Sequence, residues 1–280
     1  MDAQTAAFLE WLRLNGSVFP KIDFPRDDTP SGIRGALALD DIGSGEHMLA
    51  IPIRLMMSPE HALADAVIGA CLAENRHLLR GDLLLSLYIM YEYLKGDESF
   101  YQPYLAILPQ PGTVSQWSSA QLQELQDDSM MIKARRKSAQ VESYYTRSIV
   151  PLCENNTSLF PIEKFTFELF AFAWHTVQAR AFGRRLPWTA LVPFADCLNH
   201  SNVQTKYDYD VAGNGLFRLF PTGANSYPRG AEVFNSYGRR HNENLLLDYG
   251  FCMLHNEWDW VPLSLEFPKN DNSVTNTLAA

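Results

Sequence analysis

The order of strand-rich and helix-rich segments constrains the fold of this chain more than any other feature. Apolar runs of strand type occupy residues 33–52 and return after Leu191, and a block of helical periodicity from Pro59 to about Phe182 separates them. Strands and helices are thus segregated, which predicts an α+β fold and argues against a doubly wound nucleotide-binding sheet. The 280 residues, 46% of them hydrophobic, are enough for one large domain or a domain with a long insertion.

The strand-type segments predict two hairpins. Two apolar runs flank a Gly-Ser-Gly turn at residues 43–45, so residues 33–52 are expected to form a hairpin and the first sixty residues to be mostly strand. Residues 205–210 alternate between apolar or aromatic side chains and charged ones. A turn at residues 213–215 follows, and the apolar run 216–221 after it is expected to be the second strand of that hairpin.

Other segments have the periodicity of helices. An apolar stripe within residues 6–12 predicts a short N-terminal helix that ends at Asn15-Gly16. Residues 165–182 are apolar on nearly every side, which predicts a helix inside the fold. Another short helix is expected from about Asn242 to Asp248, ending at Gly250.

The charge and the cysteines narrow the class of partner. The net charge is −9 and no long run of one sign occurs, so nucleic acid is a poor match and a basic protein partner a better one. No apolar run approaches membrane-spanning length, and the N-terminus lacks the features of a targeting signal. We therefore expect a monomer in the cytoplasm, the nucleus or both, with no membrane partner. The cysteines form no C-x-x-C pair and predict no metal site.

One glycine-rich segment imitates a nucleotide-binding loop. Residues 39–49, LDDIGSGEHML, place an acid and a Gly-x-Gly after an apolar run, as Rossmann-type methyltransferases do. A small residue should then open a helix, but His47 stands there and the chain continues as strand. The segment is therefore interpreted as a turn.

Two separated motifs carry the functional information. The first is VPFADCLNHSN at residues 192–202, and the second is EVFNSYGRRHNENLLLDYGF at residues 232–251. Together they resemble the signatures of SET-domain enzymes of the Rubisco large-subunit methyltransferase type. The resemblance extends to the N-terminal helix, to the Arg-Gly-Ala-Leu-Ala segment at residues 34–38 and to Arg-Ala-Phe at residues 180–182, and so covers about residues 5 to 265.

The resemblance implies a SET domain, a β-clip of short sheets with a pseudoknot, interrupted by a mainly helical insertion. Its N-terminal part would span residues 1–58, the insertion 59–168, the C-terminal part 169–265 and a tail 266–280. Family members continue into a helical substrate-binding domain that this sequence, ending at Ala280, lacks. The expectation is either a fragment or a protein whose insertion alone holds the substrate.

The resemblance also implies S-adenosyl-L-methionine as the cofactor and a lysine of another protein as the acceptor. Tyr237 would be the catalytic residue, with its hydroxyl near the transferring methyl group. Phe182, Asp196, Asn235 and Phe251 would contact the substrate. The residues implied to bind the cofactor are Arg34, Gly35, Leu37, Arg180, Asp196, Asn199, His200, Tyr237, Tyr249 and Phe251.

These residue types suit methyl transfer. The reaction is an in-line displacement that needs two reactants held end to end and no covalent intermediate. A lysine amine, with a reference pKa of about 10.4, must first lose its proton, which an apolar channel beside a positive charge favours. Aromatic faces can contact the cofactor's sulfonium and the lysine ammonium, and an arginine can hold a carboxylate through two hydrogen bonds.

Several alternatives stay open at this stage. Arg180 could form a surface ion pair, Asp196 could cap a turn and Phe251 could belong to the core. Histidine is a possible acceptor, although the aromatic ring of Phe182 suits lysine methylenes better than an imidazole. The chain could also be an inactive interaction module with this fold.

Overall fold

The computed structural model describes residues 1–183, 186–210 and 215–260 of the chain. Its elements confirm the predicted α+β class, with helices and short antiparallel sheets in separate stretches of sequence. The tail 266–280 and most of the turn at residues 213–215 lie outside the described residues. Within the described ranges, no helix is both long and apolar enough to cross a bilayer.

The N-terminal helix α1, Ala3–Leu14, agrees with its prediction. Phe8, Leu9, Trp11 and Leu12 are buried along one side, and Asn15 caps the C-terminus before Gly16. Asp2 caps the N-terminus, because its side chain accepts a hydrogen bond from the Thr5 N–H at 2.8 Å.

The predicted hairpin over residues 33–52 is wrong in its pairing. Strand β1, Ile22–Arg26, pairs with β2, Gly35–Ala38, whereas β3, Leu49–Pro52, joins another sheet. The Gly-Ser-Gly turn lies between β2 and β3, but those two strands belong to different sheets. The first sixty residues are also mostly helix and irregular chain.

The second sheet contains the hairpin that the alternating pattern predicted. Strand β4, Thr205–Tyr209, pairs antiparallel with β5, Leu216–Pro221, with Tyr207 opposite Leu219. Strand β3 pairs with the other edge of β5, which gives the order β3-β5-β4. Every second residue of β5 is buried, so one side of this sheet faces the core.

A helical block follows β3, as the periodicity predicted. The helix α9, Phe167–Arg180, has Glu168 as its one fully exposed residue, which agrees with the predicted burial of this segment. The other helices of the block are α2, Pro59–Ala64; α3, Gly69–Glu74; α4, Asp82–Leu94; α5, Gln102–Leu105; α6, Ser119–Glu124; α7, Asp128–Tyr144; and α8, Val150–Asn155.

The last described helix, α10, Asn242–Tyr249, packs against the helical block. A small apolar cluster joins α7 to α10, and the ion pairs Lys133–Glu243 and Lys137–Asp248 lie beside it. Gly250 ends α10 with φ +83°, and a Cβ there would lie 2.7 Å from the carbonyl oxygen of Gly112. Both the left-handed conformation and this close approach require glycine.

Candidate functional site

The two motif segments, 192–202 and 232–251, meet in the folded chain. The Asn235 N–H donates to the Asn199 carbonyl oxygen at 2.8 Å, and His200 and Asn235 form a parallel bridge. The Tyr237 N–H donates to Nδ1 of His200 at 3.1 Å. Residues some forty positions apart therefore form one site, as the resemblance implied.

The first motif adopts its loop because Phe194 anchors it. The Phe194 ring stacks on Phe19 at 4.2 Å and meets Phe24 edge-on at 5.5 Å, while its own backbone has φ +73°. A non-glycine residue in this conformation is strained and persists where packing holds it. The short 3-10 turn Ala195–Cys197 follows and turns the Asp196 side chain inward.

Tyr237 lies at the centre of an aromatic cluster. Its ring stacks on His200 at 5.0 Å and on Tyr249 at 5.2 Å, and it meets Phe251 edge-on at 6.5 Å. The hydroxyl donates to the Leu198 carbonyl oxygen at 2.9 Å, and burial raises its pKa well above the usual value. Tyr237 is thus a neutral hydrogen-bond donor with a fixed ring.

His200 has one buried nitrogen without a partner. Nδ1 accepts the Tyr237 N–H at 3.1 Å and also lies 3.3 Å from the Asn235 carbonyl oxygen, which can only accept from it, so the two contacts use opposite tautomers of the ring. Burial lowers the pKa of His200, which favours the neutral ring. Nε2 is buried and has no hydrogen-bond partner among the described residues, so its hydrogen-bonding capacity is unused. Such an atom in a folded protein is a candidate contact for a ligand.

Asp196 is a buried carboxylate with three polar neighbours. Tyr104 donates its hydroxyl to Oδ2 at 2.6 Å, Nη1 of Arg180 lies 3.6 Å from the same oxygen, and Cys197 Sγ lies 3.7 Å from Oδ1. Burial raises the pKa of Asp196 and outweighs the lowering by Arg180 and Tyr104. Arg180 also donates to the Asp196 carbonyl oxygen at 2.9 Å. Arg180 therefore forms an ion pair. The alternative left open from the sequence was a surface ion pair, but this one is partly buried and holds the loop of the first motif.

Part of the site lines an open cleft with a volume of about 1010 Å³. Phe182, Asp196 and Asn235, three of the four predicted substrate contacts, line it. Phe182 meets Tyr207 and Phe217 edge-on, and the Asn235 side chain accepts from the Thr205 hydroxyl at 2.9 Å. Of the other predicted site residues, the cleft is lined by Arg180, Tyr237 and Tyr249.

The remaining predicted site residues do not line this cleft. Asn199 donates its amide to the Arg34 carbonyl oxygen at 3.2 Å and to Glu232 Oε1 at 3.0 Å. A Cβ on Gly35 would lie 2.7 Å from Nδ2 of Asn199. Arg34 turns its guanidinium to Thr5, so only its backbone reaches the site. The predicted site residues that do not line the cleft are Arg34, Gly35, Leu37, Asn199, His200 and Phe251.

Comparisons with known proteins agree with this arrangement. The SET domain of LSMT bound to MeLysine and AdoHcy superposes with a TM-score of 0.75 at 28% identity, over 99% of this chain and 63% of that one. The chain has the fold of the LSMT SET domain. No protein-family model matches it.

Curated relatives support the same family. The [fructose-bisphosphate aldolase]-lysine N-methyltransferase of Arabidopsis thaliana is 31% identical over 274 residues, 94% of this chain and 55% of that protein. The Rubisco large subunit N-methyltransferase of Pisum sativum is 31% identical over 278 residues, 94% and 54% of the two chains. An actin-histidine N-methyltransferase of Xenopus tropicalis is 25% identical over 277 residues, 94% of this chain and 46% of that protein. The SET domain thus spans about half the length of these relatives.

Two residues of this SET domain escaped the sequence analysis. Tyr104, on α5, holds Asp196 from the helical block, where a lone tyrosine looks like an ordinary core residue. Glu232, which is 4% exposed, accepts from Ser31 and Asn199. Glu232 belongs to the second motif, and a buried acid beside Asn199 could have been suspected there. His241 is the N-cap residue of α10, and its side chain makes no capping hydrogen bond there.

Proposed function

We propose that this protein is an S-adenosylmethionine-dependent protein-lysine N-methyltransferase. The observation that carries the proposal is the position of Tyr237, whose ring stacks on His200 of the first motif and also lines the open cleft. Tyr237 thus joins the two motifs at the edge of a space for a ligand, as a transfer between two positioned reactants requires. The relatives named for lysine methylation support the same reaction.

The residues around Asn199 and His200 suit S-adenosylmethionine. Gly35 lets Asn199 approach its backbone closely, and Nε2 of His200 is buried without a hydrogen-bond partner among the described residues. Asn199 is held by Glu232 with its amide beside the Arg34 carbonyl group. We assign cofactor binding to these residues, together with Leu37, Tyr249 and Phe251. When bound, the cofactor supplies a methyl group activated by its sulfonium charge.

The cleft suits a lysine side chain. Phe182 and Tyr249 offer aromatic faces for the methylene chain and for a cationic head. Asn235 is tied to Thr205 and can take part in orienting the amine. The Tyr237 hydroxyl donates its hydrogen to the Leu198 carbonyl, so its oxygen can accept an N–H of the amine, orient the nitrogen and stabilise the positive charge that develops there as the methyl group passes from sulfur. The amine must be neutral to attack, which the apolar walls favour.

The proposal is tested by calorimetric binding of S-adenosylmethionine and by labelling a protein extract with its tritiated form. We expect binding with a dissociation constant in the micromolar range, typical of enzyme cofactors, and methyl transfer to lysine in the sequenced peptides. If the cofactor bound but no protein of a broad panel were methylated, the proposal would fail and the protein would be an inactive interaction module. A methylated histidine in place of lysine would assign the alternative acceptor.

Replacing Gly35 with alanine should weaken cofactor binding. The new Cβ would lie 2.7 Å from the Asn199 amide and 2.8 Å from Glu232 Oε1, so one of the two must move. We expect an affinity loss of about tenfold and an unfolding free energy lower by about 1–3 kcal/mol. Calorimetry and urea unfolding measure these changes. Gly43→Ala is the matched control, since the nearest atom there is 3.9 Å away; an equal loss in both variants would contradict the assignment.

A further inference from the structure

The mouth of the cleft has the opposite charge from the protein as a whole. The chain carries a net charge of −9, but Lys206, Arg239 and Arg240 all line the cleft and are exposed. Among the described residues that line it, the acids are Asp196, buried against Arg180, and the exposed Glu257. At the mouth, therefore, three cations face one carboxylate.

These cations are not neutralised by neighbours. Within the described ranges no carboxylate lies within ion-pairing distance of Lys206, Arg239 or Arg240. On the same sheet Arg218 of β5 pairs with Asp208 of β4 at 3.2 Å, whereas Lys206 of β4 stands opposite Phe220. The three cations are thus free to pair with an incoming ligand, and we call them the basic rim.

Each arginine of the basic rim lies against an aromatic ring. The Arg239 guanidinium lies 4.1 Å from the centre of the Trp258 ring, a cation–π contact that orients the arginine. Burial raises the pKa of Tyr249, while the nearby charge of Arg240 lowers it, so Arg240 lies beside an aromatic wall of the cleft. The two arginines are therefore next to the acceptor space and have limited freedom to turn away.

We propose that the target lysine lies in an acidic stretch of its protein substrate and that the basic rim binds the flanking carboxylates. This inference rests on the proposed lysine methylation and names the class of its substrate. The carboxylates would pair with the rim while the lysine side chain enters past Phe182 and Tyr249. The same positive charges disfavour a protonated amine, so recognition and deprotonation act in the same direction. The negative charge elsewhere on the protein disfavours a long polyanion such as RNA.

The test uses peptides with a central lysine flanked by glutamate, by glutamine or by arginine. Each is assayed for methyl transfer from tritiated S-adenosylmethionine and, independently, for binding by fluorescence anisotropy. We expect kcat/KM to fall from the acidic to the neutral to the basic peptide. The first step should be about tenfold, as two or three exposed ion pairs would give, and should shrink in high salt.

Charge reversal of the rim should reverse the order. The double variant Lys206→Glu, Arg239→Glu should prefer the basic peptide and bind S-adenosylmethionine as tightly as the original protein. The matched control is Arg135→Glu, Arg136→Glu, an equal charge change on exposed positions of α7, and it should keep the preference for the acidic peptide. The milder Arg239→Gln should weaken the preference and covers the case in which the double variant fails to fold.

The results separate this inference from the proposed function. If no peptide is methylated, the reaction is in doubt, but the anisotropy order still decides whether the rim selects acidic segments. An order independent of peptide charge would overturn the inference. If the rim variant lost cofactor affinity to the same extent as peptide affinity, the cations would be assigned to the cofactor and the inference would be overturned. Tighter binding of a single-stranded oligonucleotide than of the acidic peptide would also overturn it.

Discussion

Tyr237→Phe should lower the rate of methyl transfer by about 100- to 1000-fold and leave S-adenosylmethionine binding within a few-fold of its original strength. The change removes only a hydroxyl, and the aromatic contacts with His200 and Tyr249 remain. The size of the loss is that of removing one well-placed hydrogen-bonding group from a site of developing charge. The transfer rate is measured in single-turnover reactions with a lysine peptide that the original protein methylates. Cofactor binding is measured by calorimetry.

Tyr227→Phe is the matched control for this prediction. Tyr227 is also buried, and its hydroxyl also donates to a backbone carbonyl, that of Phe234, at 2.8 Å. Each variant should lose about 1 kcal/mol of unfolding free energy, the usual contribution of one hydrogen bond. Only Tyr237→Phe should lose the reaction. Equal rates in the two variants would show that the Tyr237 hydroxyl has a structural role alone.

Arg180→Met should destabilise the protein by about 3 kcal/mol at pH 8, because Asp196 would keep its charge in a buried place without the guanidinium. The pKa of Asp196 is already above that of an unfolded aspartate, and it rises further when Arg180 is removed. A carboxyl group with a raised folded-state pKa loses stability as pH increases. The penalty should therefore be smaller at pH 5 than at pH 8, which urea unfolding at the two values measures.

Arg218→Met provides the comparison for Arg180. Its partner Asp208 is half exposed, so the loss should stay below about 1 kcal/mol. Adding Asp196→Asn to Arg180→Met should recover part of the stability, since the buried charge is then gone. A penalty for Arg180→Met that is small and independent of pH would mean that water reaches Asp196 and replaces the arginine.

The parts of the fold that were predicted correctly depend on neighbours in sequence. Helix α9 is buried on most sides, and its continuous apolar residues are sufficient to indicate this. Strands β4 and β5 are adjacent, so alternation and a turn predict their pairing. The pairing of β2 was missed because its partner β1 is only five residues long and contains a proline and two charged residues. Nothing local distinguishes such a strand from a loop.

The site divides in the same way. Tyr237, Asn199 and His200 lie in recognisable motifs, and the resemblance indicated that they converge. That Phe182 lines the open cleft, whereas Gly35 packs against Asn199 and Glu232, required coordinates. The basic rim was also invisible in the sequence, because Lys206 and Arg239 are far apart along the chain and the average charge indicates the opposite preference.

Contacts between α7 and α10 link the acceptor pocket to a distant part of the chain. Lys133 and Glu243 are 110 positions apart, and Gly250 fits against Gly112 with no space for a side chain. Tyr249 and Phe251 are therefore held in register by residues 112–137. In a chimaera with a relative, those residues and residues 242–251 must be exchanged as one block, since a mismatched pair would shift the aromatic wall even if every motif residue were retained.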